Sequence, residues 1–522
     1  AGGRDTVVAN TITLNPGPRE QHYDLTGDED VTLRNNIMFN DYNGSGRAVV
    51  DVKHFIIIKD SNSSGLDLHG SKRVSVDGNV FIGWENGGGE FMVKAGNDGK
   101  PYHEAIDIVV ENNLFLSNGP DTARAVFGGA GVKNLTFRNN TINHTTAAYQ
   151  GYVFETKGDN PLNEAVSVCN NVWSVRITDD FASVSGTVGM SEHHNVYWNH
   201  GAPITGFSDS KGVVVDPGLT DAPVSRPRRG DAAALLRDLV QAHGTPNGAV
   251  ADIADPACAS SRDILGSQRG SAPDAGALEL TSDGTVPPST TEPPTTTQPP
   301  TTTQPPTTTQ PTTTTQPPTT TQPPAPDRVD GYLQVPSDFA TIQAAVDAAT
   351  SGDVVLVAPG VYTENVVITD KSVTVASEFL TTGDRSVIDT TVVDGGGGDS
   401  VFHIGQSAGV DTQLVGLTIR NADDGVLAQA PMTFLDNVVR NTSDGIDYDT
   451  NAKGTPSGGL VRHSIFEDNS DDAIDLDNDV AVVIEGNVIR NNGDDGIEIR
   501  LHDYTGPRLD IVIRDNVISG NG

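Results

Sequence analysis

One short phrase recurs along this chain and limits the folds it can adopt. An alternating apolar strand runs into a polar residue, then Asn, then another apolar pair, as in LRNNIM (33–38) and IEGNVI (484–489). The aligned asparagines are Asn36, Asn79, Asn113, Asn140, Asn171, Asn195, Asn437, Asn487 and Asn516. Within each block most neighbours lie roughly 20 to 35 residues apart, the length of one supersecondary repeat. The chain is therefore predicted to stack repeats, each burying its apolar face against its neighbours.

The apolar positions alternate with polar ones, which excludes helical repeats with their 3.6-residue period. A leucine-rich repeat is also excluded, because its L-x-x-L-x-L core is absent. We predict an all-β chain folded as a right-handed parallel β-helix, with two or three short strands in each coil. Each repeated Asn is expected at a corner, where left-handed backbone is tolerated and its side chain reaches the Asn one coil away, roughly 4.8 Å along the axis.

A second pattern covers residues 337–375, where a short amphipathic segment precedes three alternating strands. Ser337 or Asp338 is the expected helix N-cap, and Ser351-Gly352 the expected end. One face of this predicted helix carries Ile342, Ala345, Val346 and Ala349. The order A-T-I-Q-x-A-V-D-x-A, G-D-x-V-x-V-x-P-G, Y-x-E resembles the start of the pectin-lyase-like superfamily. The resemblance implies a helix that caps the open end of a β-helix and covers its sheet edge.

Composition divides the chain into three parts. Residues 285–326 are PPTTTQ repeats with almost no charge and nothing apolar to bury, which predicts a disordered linker, extended and polyproline-like. The linker separates a β-helix module at 1–284 from a second one at 327–522. We expect the first module to lack its N-terminal part and the second to lack its C-terminal part. Thr/Pro tracts are typical of secreted, polysaccharide-associated proteins, so the predicted location is extracellular or cell-surface.

The charge balance limits the partners. The chain has 33 basic and 69 acidic residues, with 11 and 33 of them in residues 327–522. The negative electrostatic field of this chain disfavours binding to nucleic acid and to anionic membrane surfaces. An anionic polysaccharide would need a bridging cation to bind. No apolar run is long enough for a transmembrane segment. The expected partner is a polysaccharide or cell-surface glycan, and the expected oligomeric state is a monomer.

Cys169 and Cys258 are the two cysteines of the chain. Cys169 falls in a predicted coil and Cys258 in a predicted closing segment. A disulfide between them is one alternative, and an unpaired, buried Cys169 is the favoured prediction. No cysteine or histidine spacing indicates zinc. His193 and His194 fall at a coil corner where other coils carry Asn, which favours a structural role.

Candidate site residues come from four coils aligned as ADDGVLAQ (422–429), TSDGIDYD (442–449), DDAIDLD (471–477) and GDDGIEIR (493–500). The aspartates that precede each strand are expected to bind backbone amides at the turn: Asp424, Asp444, Asp472 and Asp495. Alternation then points one set of side chains outward on the same face. This set contains the carbohydrate- or cation-binding candidates Asp447, Asp449, Asp475, Asp477, Glu498 and Arg500.

Stacked like charges must raise a carboxyl pKa, bind a cation such as Ca²⁺, or be neutralised by a base such as Arg500. A carboxyl with a raised pKa can act as a general acid beside an ionised base. The phrase NTSDGID (441–447) is similar to catalytic phrases of pectin-hydrolysing β-helix enzymes. Their Gly-His-Gly coil and Arg-x-Lys pair do not follow in this chain, so no catalytic role is assigned and no cofactor beyond Ca²⁺ is considered.

Basic residues in the first module give a different candidate. Lys59, Arg73, Lys94, His103 and Arg124 fall in several coils. A Lys/Arg pair beside a groove is similar to the site of alginate-lyase-like β-helix proteins. Spacing alone does not show whether these side chains converge.

Two functions remain open at this level. The chain engages an extracellular polysaccharide, as a lyase or a glycoside hydrolase, or it is a non-catalytic module that binds glycan or cations at the surface. Catalysis predicts that Asp447, Asp475 and Glu498 line a groove, whereas a binding module predicts a flat, open acidic face.

Overall fold

The computed structural model describes 6–15, 21–40, 54–59, 70–83, 91–96, 100–116, 125–149, 152–158, 161–222, 224, 232–281, 331–449, 456–500 and 509–522. The predicted linker, 285–326, lies outside these residues. The described strands stack as coils of a parallel β-helix with three faces, as the alternating pattern predicts, and every pairing between named strands is parallel.

The first face is a 16-stranded parallel sheet that contains residues from both sides of the predicted linker. In spatial order, its strands are Leu333–Val335, Val354–Val357, Thr374–Ser377, Thr412–Val415, Pro431–Leu435, Ser457–Arg462, Val480–Glu485, Ile511–Arg514, Thr6–Ala9, Thr32–Arg34, Ser71–Asp77, Ala105–Glu111, Val132–Arg138, Asn163–Cys169, Thr187–Val188 and Ser191–His193.

The second face follows the corner after the first-face strand, which carries an asparagine in many coils and another residue, such as Leu417 or Ser464, in others. Its strands are Gly360–Thr363, the first parts of Thr391–Ile404 and Thr418–Ala428, then Val438–Arg440, Ile465–Glu467, Val488–Arg490, Val517–Ser519, Ile12–Leu14, Ile37–Phe39, Val80–Ile82, Leu114–Leu116, Thr141–Tyr149, Val172–Ile177, Val196–Trp198 and Val213–Val214.

The third face consists of two runs of strands. One run is Val366–Ile368, the last parts of the two long strands, Asp444–Asp449, Ile474–Asp477 and Glu498–Arg500. The other run is Tyr23–Thr26, Ile56–Lys59, Phe91–Ala95, Ala125–Gly129, Phe154–Thr156 and Ala182–Val184. Between them, the coil that carries Ile511–Arg514 and Val517–Ser519 has no third-face strand among the described residues.

The two stretches that flank the linker meet strand to strand. Thr6 pairs with Ile511 and Ala9 with Arg514 on the first face, while Ile12 pairs with Val517 on the second. The described coils therefore form one continuous stack in which residues 331–522 precede residues 6–222. The division into the domain ranges proposed above stays a prediction.

Inward side chains form a continuous apolar core along this stack. Aromatic rings stack on one another within it, as in Phe81 on Phe115 with centroids 4.5 Å apart, and Phe137 on Trp173 at 5.4 Å. This follows from the fold, because equivalent positions of successive coils lie directly above one another.

Buried asparagines form the predicted ladder at the corner between the first two faces. The backbone N–H of Asn113 donates to Oδ1 of Asn140 at 3.0 Å, and its side chain donates to the same oxygen at 2.9 Å. Asn140 repeats this pattern with Asn171. The left-handed backbone conformation predicted for the ladder asparagines occurs one residue earlier. The left-handed residue is the preceding one, such as Asn112 or Asn139, because it turns the chain so that the ladder Asn points inward.

Helices cover parts of the stack. The α-helices are Ala232–His243, Ile342–Ala348 and Phe379–Thr382, and the 3₁₀ helices are Gly248–Val250 and Arg385–Thr390. No helix in the described part of the chain has the length and apolar character needed to cross a membrane.

The helix Ile342–Ala348 confirms the predicted cap helix and its buried face. Its N-cap differs from the prediction: Thr341 accepts from Ala344, and the carboxylate of Glu364 accepts from the N–H groups of Ile342 and Gln343 at 3.0 Å each. Glu364 lies in a later coil, so the helix start depends on stacking rather than on local sequence.

Cys169 and Cys258 are paired in a disulfide, so the favoured prediction of an unpaired Cys169 was wrong. The closing segment folds back along the corner of the first module and brings Cys258 onto the coil of Cys169. Asn170 fixes this position, since its side chain donates to the Asp255 carbonyl at 3.0 Å and accepts from the Asp255 N–H at 2.8 Å.

Candidate functional site

The predicted outward residues lie side by side on the third face. Asp447 pairs in register with Asp475, and Asp475 with Glu498. In the next column, Asp449, Asp477 and Arg500 are aligned in the same way. We call the six residues Asp447, Asp449, Asp475, Asp477, Glu498 and Arg500 the acidic face. Alternation positions them, because the intervening Ile446, Tyr448 and Leu476 are buried in the core.

Arg500 holds three of these carboxylates together. Its Nε donates to Oδ1 of Asp477 at 2.9 Å, its Nη1 lies 3.0 Å from Oε2 of Glu498, and its Nη2 donates to Oδ2 of Asp475. The predicted neutralisation by Arg500 is therefore present. These contacts raise the pKa of the Arg500 guanidinium further, so it is charged at any working pH.

Burial and neighbouring charges shift the carboxyl groups in the same direction. Burial, followed by repulsion from Asp424 and Asp475, raises the pKa of Asp447 to about 8. Burial and repulsion from Asp477 raise the pKa of Asp475 to about 7, although Arg500 opposes the shift. At neutral pH Asp447 is therefore mostly protonated while Asp475 is near the midpoint of its titration, and carboxyl groups with pKa values near the working pH suit acid–base chemistry.

Two of the four turn aspartates, Asp444 and Asp472, bind backbone amides as predicted, whereas Asp424 accepts from the hydroxyl of Ser400 at 3.0 Å. Oδ1 of Asp444 accepts from the N–H of Asp472 at 3.0 Å, and Oδ1 of Asp472 accepts from the N–H of Asp495 at 2.6 Å. Asp472 is also turned toward the acidic face. Burial and then a hydrogen bond to Glu498 raise the pKa of Asp472 to about 9, so Asp472 is protonated at neutral pH.

One group of carboxylates could hold a cation. Oxygens of Asp472, Asp475 and Glu498 lie within 4.8 Å of one another. Within the described part of the chain, the buried Oδ1 of Asp475 has no hydrogen-bond partner. Three hard oxygen ligands suit Ca²⁺, but the adjacent Arg500 already compensates two of these carboxylates.

The acidic face ends at a cavity of about 370 Å³. The cavity lies where the third face is interrupted, between the strands Glu498–Arg500 and Tyr23–Thr26. Apolar core side chains form its floor, and its polar residues include Glu498, Arg500, His22 and Asp24. Asp447 and Asp475 do not line this cavity and Asp475 is buried, so only Glu498 of the three residues expected to line a groove does so.

His22 is a neutral hydrogen-bonding group in this cavity. Its Nδ1 lies 2.7 Å from Oγ1 of Thr13 and its Nε2 lies 2.9 Å from Oδ1 of Asn40, and the ring stacks on Phe55. Burial lowers the pKa of His22 to about 3. Sequence reasoning missed His22, Tyr23 and Asp24, since no local motif marks them and only the junction of the two stretches brings them to Glu498.

The described basic candidates of the first module lie on different faces: Lys59 and Lys94 are on neighbouring strands of the third face, and Arg73 is on the first. Lys59 pairs with Asp24 on the third face at 3.4 Å, whereas Arg73 pairs with Asp30 on the first face at 2.6 Å. His103 lies 3.2 Å from the Leu162 carbonyl. Arg124 lies outside the described residues. Two of these candidates are thus engaged by acidic neighbours on different faces.

These features define a protein of the right-handed parallel β-helix class, with an acidic face beside a cavity. Residues 400–522 match the family model described as a right handed beta helix region, and these residues contain the whole acidic face. Comparison with curated protein sequences gives no match.

Two solved structures align with this chain at low similarity. The PL6 family alginate lyase AlyGC has a TM-score of 0.27 at 11% identity, over 99% of this chain and 85% of that one. A tailspike protein of an E. coli bacteriophage, solved with a pentasaccharide, has a TM-score of 0.17 at 10% identity, over 96% and 72%. At these values neither protein assigns a role to any residue of this chain.

Proposed function

We propose that this protein binds a polysaccharide outside the cell, along the acidic face, with one end of the bound segment in the adjoining cavity. The observation that carries the proposal is the in-register stack of carboxyl groups and Arg500 that ends at the cavity. Sugar hydroxyls require several fixed donors and acceptors on an extended surface, and a cavity of this volume suits a small part of such a ligand.

The charge of the acidic face favours neutral glycans over anionic ones. At neutral pH Asp447 offers a proton donor, while Asp477 and Asp449 offer acceptor oxygens. A neutral polysaccharide meets this mixture without repulsion. An anionic polysaccharide is disfavoured by the net charge of −36 unless a cation bridges the two.

The finer proposal is glycoside hydrolysis. Asp447, with a pKa raised to about 8, donates its proton to the glycosidic oxygen, and the ionised form of Asp475, whose pKa is about 7, stabilises or attacks the sugar. Asp447 and Asp475 are paired on neighbouring strands, so their two carboxyl groups project from adjacent coils.

The extracellular location belongs to the same proposal. The Cys169–Cys258 disulfide favours an oxidising compartment, and the Thr/Pro linker is typical of secreted proteins. We propose a monomer, because the helix Ile342–Ala348 covers the first coils and leaves that end without an open sheet edge.

The test is a binding and activity screen of the full chain against neutral glycans, pectin and alginate, with and without Ca²⁺. Retention on a glycan, together with new reducing ends, supports a hydrolase. In Asp447→Asn we then expect the rate to fall by on the order of 100-fold or more, with binding preserved. Asp468→Asn, at an exposed corner, is the matched control. Absence of retention on every glycan contradicts the proposal.

A non-catalytic, cation-dependent module is the second candidate. The grouping of Asp472, Asp475 and Glu498 favours it. In that case glycan retention requires Ca²⁺, Glu498→Gln abolishes it, and no reducing or unsaturated ends form. Unsaturated ends would instead indicate a lyase.

A further inference from the structure

The junction, where the strand Ile511–Arg514 meets the strand Thr6–Ala9, joins the two stretches without a covalent bond. Strands pair across it on the first face, and on the second face Ile12–Leu14 pairs with Val517–Ser519. Among the described residues no third-face pairing crosses it, and the cavity lies there instead. By contrast, the third-face strand Ile474–Asp477 is paired with a neighbour on both sides. The junction therefore depends on two short strand pairings.

The asparagine ladder is interrupted at the junction. In a complete rung, Nδ2 of Asn487 donates to a carbonyl of the preceding coil and to Oδ1 of Asn516 in the next coil, at 3.0 Å each. Nδ2 of Asn516 donates to the preceding coil at 2.8 Å, but the next coil carries Thr11, whose hydroxyl donates to the Ala9 carbonyl at 3.2 Å. In the described part of the chain, no hydrogen bond joins the side chains of Asn516 and Thr11, so one rung is missing where the two stretches meet.

Thr11 has the backbone of a ladder residue. Its N–H donates to Oδ1 of Asn36 in the next coil at 3.0 Å, as the N–H of Asn113 does to Asn140. The preceding Asn10 has the left-handed conformation of the other corners, with a φ of 51°. The missing rung is therefore due to one side chain, at a position whose backbone already suits asparagine.

Residues 282–330 are the covalent connection between the two stretches, and their number sets how far apart the stretches can move. The closing segment ends beside the coil of Asn112, since Arg269 donates to the Asn112 side chain at 3.2 Å. From the strand Ala105–Glu111 of that coil to the strand Leu333–Val335, the first face spans roughly 50 Å, at about 4.8 Å for each strand. A polyproline-like chain of about 50 residues reaches roughly 150 Å. This length spans one stack and also reaches a second copy beside it.

We propose that two copies of this chain exchange stretches at the junction and form a closed dimer. In the dimer, Ile511–Arg514 of each copy pairs with Thr6–Ala9 of the other, so every contact of the junction is kept. The monomer proposed above is the form in which both strands belong to one chain. The linker holds one stretch near the other at an effective concentration of about 1 mM or less. The dimer should therefore accumulate as the protein concentration approaches this value.

The test uses the full chain with a protease site inserted within residues 285–326, analysed by size-exclusion chromatography with light scattering. We expect a species with twice the mass of the chain, in a fraction that grows with concentration. Because only the linkers join the two stacks of an exchanged dimer, cleavage should halve its mass. A dimer that keeps its mass after cleavage is held by a surface contact and overturns the proposal. A chain that stays monomeric up to about 1 mM also overturns it.

Thr11→Asn tests whether exchange occurs at the missing rung. The new side chain gives Asn516 the acceptor that Asn516 itself gives Asn487. It should slow the mixing of two differently labelled pools, followed by fluorescence energy transfer, on the order of tenfold. Ser464→Asn is the matched control, because Ser464 takes a ladder position inside one stretch, and it should mix as the unmodified chain does. Equal mixing rates for Thr11→Asn and the unmodified chain would overturn exchange at the junction.

Discussion

Carboxyl side chains on the acidic face lower the stability of the fold but provide groups suited to acid–base chemistry. Asp447 and Asp475 are placed where burial and like charges oppose ionisation, and Arg500 offsets part of that cost. Active sites are commonly arranged in this way, because surroundings that shift a pKa to suit catalysis also lower the stability of the fold.

Asp447 should make the protein less stable as pH rises. The folded chain holds its proton up to about pH 8, whereas the unfolded chain releases it near a pKa of about 3.9. The folded state therefore binds more protons between these values, and stability falls through this window and levels off above it. Partial exposure limits the effect to about 2 kcal/mol.

Asp447→Asn should remove that loss. Urea unfolding at about pH 5 and about pH 8 should show a smaller decrease between the two values for Asp447→Asn than for the unmodified chain. Asp468→Asn should keep the original decrease. Equal pH dependence in all three proteins would contradict the environment described for Asp447.

Arg500→Gln should destabilise the fold by about 2 kcal/mol, because it leaves the carboxylates of Asp475, Asp477 and Glu498 facing one another. The pKa of Asp475 should rise, since Arg500 opposes its shift. Carboxyl titration by NMR and chemical unfolding measure the two effects. Arg490→Gln, which disrupts a pair with Glu467, is the matched control and should cost less. An unchanged Asp475 titration would show that Arg500 is not the neutralising group.

At the scale of the element, corners rather than strands define each coil. The strands of the second face contain as few as two residues, too short to be stable alone. The asparagine ladder connects neighbouring coils at the corner, where backbone N–H groups donate to asparagine side chains rather than to other backbone groups. Buried backbone groups require such partners.

Asn140→Ala tests this ladder. The mutation removes the oxygen that accepts from the backbone and the side chain of Asn113, and it also removes the side-chain hydrogen bond from Asn140 to Asn171. Leaving these buried groups unsatisfied should cost about 3 kcal/mol. Asn134→Gly is the control, because Asn134 is exposed and its positive φ suits glycine. Similar unfolding midpoints for the two variants would rule out a stabilising ladder.

At the scale of the whole molecule, the junction between the two stretches is the most consequential feature. It completes the first face, and it creates the cavity where the third face is interrupted. Solenoid stability depends on contacts between neighbouring coils, so the junction should couple the two stretches.

A protease site inserted within residues 285–326 tests this coupling. After cleavage the two fragments should elute together in size-exclusion chromatography, because Thr6–Ala9 remains paired with Ile511–Arg514. Ile513→Asp places a charge in the buried junction and should separate them. Val375→Asp, equally buried near the cap helix, should leave them together. Separation of the unmodified cleaved chain would establish two independent modules.

The sequence by itself determined the coil, its corners and the outward columns of the acidic face. These depend on period-two alternation and on Asn at a fixed place in each repeat, which are local properties. The tertiary structure decided the order of the coils, the cavity beside Glu498, the bond between Cys169 and Cys258, and the contact of Glu364 with the cap helix. The physical reason is that these contacts join residues far apart in the chain, and in a stack of similar coils no local signal states which coil lies against which.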